Sequence, residues 1–282
     1  MRTVKVPELK SQHIWAFCLI LYLIPVVIPI GSPFQISEIT LKIYNIIENL
    51  PEGSIIVMGG SGVFAFDYEP GAAMIASIRQ MAKNKLRLVG IPLGTESLQL
   101  HKYVVDTAKV LQQDGGPWKY GVDYVQLPYI PGGDAALVRL LTSVQSVVTV
   151  DANGIPLENL PLMKDFRSYK DITLWICPHW GYPSIVRYVT GERGVPSVMF
   201  AHAYSYTVYA PYMMIYPDKV WMTNGFLGGA QYEKLVGYKG LGHAAVDSYT
   251  LISVAYVFFV LLGNITLLTK VKKEEEEVEA KK

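Results

Sequence analysis

Two of the five histidines leave short apolar runs in similar surroundings. His179 follows Cys177-Pro178, and His202 follows Phe200-Ala201. Imidazole titrates near neutral pH and is a common metal ligand, so two histidines at neighbouring strand ends could form an acid/base or metal pair. Asp67, Glu96 and Asp134 stand at comparable positions and could orient an imidazole or complete a ligand set. With His179 and His202, Asp134 and Glu96 make the candidate catalytic group. No H-E-x-x-H or C-x-x-C spacing accompanies them. No metal and no cofactor is therefore implied, and the simpler reading of each histidine is a hydrogen bond within the rim of the fold.

Gly60, Gly62 and Ala65 spell G-x-G-x-x-A after an apolar run, a form of the dinucleotide fingerprint. Glycine there lets backbone N–H groups approach a pyrophosphate at a helix N-terminus. Here the helix is delayed to Pro70, and Asp67 and Glu69 would repel phosphate, so a tight turn is preferred. Gly60, Ser61 and Gly62 remain ligand-binding candidates, as do Thr95, Gly132 and Gly133 beside later helix starts. Thr95 and Asp134 serve equally as ordinary caps. The strained elbow of G-x-S-x-G is missing around Ser61, no G-K-[ST] occurs, and Cys177 reads as core rather than thiolate.

A different signal comes from Tyr206, Tyr209, Tyr212 and Met213, in a stretch nearly without charge that also holds Tyr204, Met214 and Tyr216. Tyrosine and methionine are enriched at protein interfaces and membrane belts. Gly240, Ala244 and Ser248 recur at four-residue spacing, which allows close helix approach. These seven residues are the interface candidates. Residues 228–236 (GGAQYEKLV) have a motif-like composition to which no activity attaches.

These residues must be positioned by alternating elements. Strands are expected at 54–58, 86–91, 122–129, 171–177, 195–200 and 219–223. Helices are expected at 37–50, 70–84, 95–113, 134–147, 183–190 and 228–236, with a polar excursion over 149–167. Such alternation implies an α/β, Rossmann-like, mostly parallel sheet covered on both faces.

The 282 residues are 51% hydrophobic and 17% charged, with net charge +1. An ordinary soluble domain carries about 25% charged residues. The balance excludes a nucleic-acid binder and a disordered chain, and two cysteines cannot make a disulfide scaffold. Part of the deficit is concentrated in two uncharged runs, 14–30 and 249–269, near the roughly 17–25 residues that span a bilayer. The first could be a cleaved signal, but it ends in Pro29-Ile30-Gly31-Ser32-Pro33 without a small-x-small site, which favours an anchor. Eight Lys/Arg flank the runs terminally (Arg2 to Lys10 and Lys270 to Lys282) against Lys42, Lys234 and Lys239 inside. That bias predicts residues 1–13 and the charged tail 270–282 in the cytoplasm, with an extracytoplasmic α/β domain at 31–248.

Taken together, the expectation is a non-enzymatic membrane-anchored α/β scaffolding subunit. Its partners would be the lipid bilayer and copies of itself or other membrane proteins. The alternative is an extracytoplasmic enzyme or ligand-binding domain using the strand-end crevice.

Overall fold

The computed structural model describes residues 10–65, 67–111, 116–178 and 181–279, with side chains as far as residue 271. The chain divides into two compact units, Phe34–His243 and the two ends of the chain.

Six strands form one all-parallel sheet: β1 (Ile55–Gly60), β2 (Arg87–Pro92), β3 (Tyr124–Gln126), β4 (Leu174–Pro178), β5 (Ser197–Ala201) and β6 (Val220–Asn224). Each falls where its apolar run predicts. The order is β3-β2-β1-β4-β5-β6, that of the doubly wound fold. Val57 pairs with both Val89 and Trp175, so β1 sits at the centre. All six residues of β1 are buried.

The described helices are α1 (Ser11–Val27), α2 (Glu38–Glu48), α3 (Tyr68–Lys83), α4 (Ser97–Ala108), α5 (Gly133–Thr142), α6 (Pro161–Asp165), α7 (Tyr182–Ile185), α8 (Ala203–Ile215), α9 (Gly225–Val236) and α10 (Leu241–Glu279). Alternate strand residues feed two cores, as the period-2 pleat requires. Ile56, Met58, Val198 and Phe200 meet α2, α3, α4 and α9 on one face. Val57, Val89, Trp175 and Met199 meet α5, α6, α7 and the inner side of α8 on the other.

Close approach of α9 to α3 explains part of the motif-like segment. A Cβ on Gly229 would stand 2.7 Å from the Ala72 Cβ, and one on Gly228 would stand 2.9 Å from that of Thr223. Several boundaries differ from expectation; the helix expected at 183–190, for example, is α-helical only over Tyr182–Ile185. Helix α4 stops at Ala108, where Lys109 turns left-handed at φ 56°. Helix α5 ends at Thr142 rather than 147. Residues 149–167 are no excursion: Leu157, Leu160, Leu162, Met163 and Phe166 are buried and close one core.

The second unit pairs α1 with the body of α10. Ser248 Oγ donates to the Tyr22 carbonyl at 2.8 Å, and Phe17 meets Phe259 edge-to-face at 5.8 Å. Asp247 accepts the N–H groups of Ile30, Gly31 and Ser32 at 2.7, 2.8 and 2.6 Å. By length and composition, Leu241–Val271 is apolar enough to cross a membrane. Helix α1 is apolar but has only 17 residues. Of the expected first span, 14–30, residues 14–27 are helical, residues 28–30 are not, and Pro25 lies inside the last turn. The expected second span, 249–269, lies within a helix that begins eight residues earlier.

Candidate functional site

The carboxyl ends of the central strands are where open α/β sheets hold ligands. The sheet order reverses between β1 and β4, so their following loops line the switch point. Those loops converge: a Cβ on Gly181, which has φ 85°, would lie 3.5 Å from Ser61 Oγ. Ser97 ties α4 to the same turn, donating to the carbonyls of Gly60 at 3.1 Å and Gly62 at 3.0 Å. Among the described residues, the N–H groups of Ser61 and Gly62 and the Ser61 hydroxyl have no hydrogen-bond partner.

His202 is the N-cap residue of α8, at the end of β5. Its Nε2 lies 2.8 Å from Asp67 Oδ1 and its Nδ1 2.8 Å from Glu69 Oε2. Asp67 is fully buried and its other oxygen accepts the Val63 N–H. Glu69 Oε1 accepts the N–H groups of Ala203 and Phe226. Burial alone would depress the His202 pKa, but its hydrogen bonds to both carboxylates, then their charges, raise it to about 9. Burial pushes the Glu69 carboxyl up, but the His202 hydrogen bond and the backbone donors hold it below its usual value. Gly225 is required here. It adopts φ 54°, and a Cβ would collide with Glu69 Oε1. The Tyr204 ring stacks on His202 with centroids 5.4 Å apart.

This geometry limits the chemistry. An imidazolium donating from both nitrogens has no lone pair with which to take a proton or bind a metal. The ring joins two carboxylates, from the start of α3, to the end of β5.

The other expected site residues are placed as follows. His179 lies outside the described residues. Glu96 and Thr95 are exposed before α4, and neither caps it; Ser97 Oγ instead accepts the Gly94 N–H at 3.2 Å. Asp134 is exposed in the first turn of α5, whose N-cap is Gly132, at φ 110°. Gly133 follows at φ 55°. The carboxylates that hold His202 are thus Asp67 and Glu69. Among the described residues, no group of three or more His, Cys, Asp or Glu side chains could hold a metal ion.

Of the interface residues, Tyr206, Tyr209, Tyr212 and Met213 are half-buried against the core on the α8 side of the sheet. Ala244 and Ser248 are buried, and Gly240 makes room for Glu233.

Glu233, in the motif-like segment, was missed by sequence reasoning. It is fully buried and accepts the N–H groups of Gly240 at 3.0 Å, Gly242 at 2.8 Å and His243 at 2.9 Å. It also meets His243 Nδ1 at 2.7 Å. One carboxylate therefore caps the first turn of α10, where free N–H groups and the helix dipole favour an anion. The available signal was a lone acid in an otherwise apolar, glycine-rich run.

Another buried histidine has a different environment. His101 has Nδ1 3.3 Å from Gln126 Nε2, its Nε2 has no partner, and burial depresses its pKa to about 4.

Fold and site together define a doubly wound parallel α/β domain whose strand-end crevice is tied by an Asp–His–Glu cluster. Compared with known proteins, the chain matches no family model, no curated protein and no solved structure.

Proposed function

We propose that the chain is a non-enzymatic, membrane-anchored α/β scaffolding subunit, held at the bilayer by 14–30 and 249–269 with both termini cytoplasmic. The carrying observation is the engagement of His202, the best-placed catalytic group, by Asp67 and Glu69 on both ring nitrogens. A histidine hydrogen-bonded to a carboxylate through each ring nitrogen is suited to bracing the crevice. The Glu233 cap, which holds the N–H groups of Gly240, Gly242 and His243 at the end of the α/β unit, agrees with a structural role.

Two measurements test this reading. Glu158 is exposed within 149–167, so Glu158→Cys in intact cells is labelled by a membrane-impermeant maleimide if the domain is extracytoplasmic. Absence of labelling until the cells are opened reverses the topology. A thermal-shift screen of the purified full chain with dinucleotides, mononucleotides, phosphate and divalent cations leaves the melting temperature unchanged. A saturable rise removes the scaffolding reading.

A second reading, a small-ligand-binding domain, is favoured by one observation: the Ser61 and Gly62 N–H groups at the switch point have no hydrogen-bond partner among the described residues. Consecutive N–H groups of this kind attract anions. Asp67 beside them already has its oxygens engaged by Val63 and His202, which softens the repulsion expected of it. A stabilising effect of phosphate or a nucleotide, lost in Gly62→Val, would promote this reading.

A further inference from the structure

The chain contains two Asn-Gly pairs, Asn153-Gly154 and Asn224-Gly225, and the fold treats them in opposite ways. An asparagine side chain is open to attack by the next backbone nitrogen, and glycine carries no Cβ to obstruct the approach. Whether the attack occurs depends on whether the backbone around the pair can turn.

Both residues of the first pair are exposed, in the turn that the Asp151 N–H closes on the Ile155 carbonyl. Gly154 lies at φ 80°, and a Cβ there would meet nothing within 4 Å. Its N–H donates to the Asp151 carbonyl at 3.1 Å, and that bond must break before the nitrogen can attack. The second pair is packed. Asn224 is exposed, but it closes β6 beside Ala201. A Cβ on the buried Gly225 would collide with Glu69 Oε1 and stand 3.1 Å from that of Ala203. The following N–H, of Phe226, donates to the same Glu69 oxygen at 3.4 Å. Rotation at Gly225 therefore displaces the carboxylate that holds His202.

We propose that Asn153 is a site of spontaneous deamidation, and that the packing of Gly225 against Glu69 protects Asn224 from the same reaction. The proposal goes beyond the scaffolding reading and does not depend on it. The Gly154 nitrogen bonds to Cγ of Asn153 and gives up its proton, and the side-chain nitrogen takes a proton and leaves as ammonia. Water then opens the cyclic imide at either carbonyl, giving aspartate or isoaspartate. The net change consumes one water and releases one ammonia.

Asp151 makes the product consequential. It is buried, and it accepts the Tyr120 hydroxyl at 2.7 Å and the N–H groups of Asn153 and Ile155 at 2.8 Å. The Asn153 Nδ2 stands 3.4 Å from Asp151 Oδ2, so in the aspartate product a carboxylate faces a buried carboxylate where a donor stood. Isoaspartate adds a carbon to the main chain between the two N–H groups that Asp151 holds. The Ala152 N–H donates to the Gln126 carbonyl at 2.8 Å, so a loosened turn frees the end of the edge strand β3.

The test ages the purified full chain in near-neutral buffer with detergent and follows each pair by peptide mass spectrometry. The amide-to-acid mass gain should appear at residue 153 about tenfold or more ahead of residue 224, because opening a packed cluster costs more than opening an exposed turn. In urea the two pairs should convert at similar rates. Asn153→Gln should remove the first conversion, and its melting temperature should hold on ageing while that of the wild type falls. Conversion at Asn224 as fast as at Asn153 overturns the protection. So does a gap that persists in urea, which assigns the difference to sequence rather than fold. An Asn153 that stays intact in the folded chain while the urea-unfolded chain converts overturns the site. A converted wild type with an unchanged melting temperature overturns the link to β3.

Discussion

Nε2 of His202 stands 2.8 Å from Oδ1 of Asp67 across 135 residues of sequence, joining the end of β5 to the loop before α3. With Glu69 on the other nitrogen, the two carboxylates raise the pKa of a histidine at a strand end and favour its charged form.

The cluster should show as a pH dependence of stability. The folded His202 pKa, about 9, exceeds the ordinary 6.5. Its contribution is therefore complete below about pH 6.5 and is lost as the pH rises through 9. Glu69, shifted down, contributes above its ordinary 4.5 and loses that contribution as the pH falls. Urea unfolding of the full chain should thus weaken from pH 7 to 10 in the wild type. His202→Gln should abolish that slope.

Removing the cation altogether is more severe. His202→Ala leaves Asp67 and Glu69 with backbone donors but without their common side-chain partner, and removing one partner of a buried ion pair costs about 3–5 kcal/mol. The melting temperature measures it. A loss below 1 °C would contradict the clasp role.

Both strands and crossover helices could be read from the chain, because a parallel sheet covered on both faces demands uninterrupted apolar runs such as residues 55–58 and 174–177. His202 was legible as a strand-end residue, and Asp67 as a group able to orient it. Glu69 was legible only as a carboxylate that would repel phosphate, because its approach to His202 depends on Gly225, 156 positions later, being free of a side chain. Helix α8 was hidden for a related reason. With both sides apolar it shows no helical alternation, so its tyrosines mark a surface without marking which side is exposed. The burial of 149–167 escaped because its short turns carry no period at all.

Gly225→Ala tests the packing around Glu69. A Cβ collides with the carboxylate and the φ of 54° disfavours an L side chain, so the variant should lose about 1–3 kcal/mol. It should also lower the pH at which His202 deprotonates, because Glu69 is displaced. Loss of stability with an unchanged histidine titration would show that Glu69 does not help to hold the charge.

Glu233→Ala removes the acceptor of three backbone donors at the start of α10. Each buried N–H left without a partner costs about 1–3 kcal/mol. Glu233→Gln, which keeps one carbonyl oxygen, should recover part of that loss. Thermal unfolding of the full chain in detergent ranks the three; equal melting temperatures would remove the cap.

Gly229→Val places branched carbon where α9 touches Ala72 of α3. Overpacking of this kind costs about 1–3 kcal/mol, and Gly71→Ala, at a helical position with nothing within 4 Å of its Cβ, serves as a control for the change of backbone alone. Comparable losses in the two would locate the cost of the valine in the backbone rather than in the helix contact.

The most direct measurement of the central claim is nitrogen NMR of the full chain carrying ¹⁵N-labelled histidine, with His202 assigned by its absence in His202→Gln. At pH 7.5 the expected result is a doubly protonated ring that titrates near pH 9, a cation held by Asp67 and Glu69 and unavailable for catalysis. A neutral ring titrating near 6.5, with one nitrogen unprotonated, would contradict it and return His202 to the list of acid/base groups.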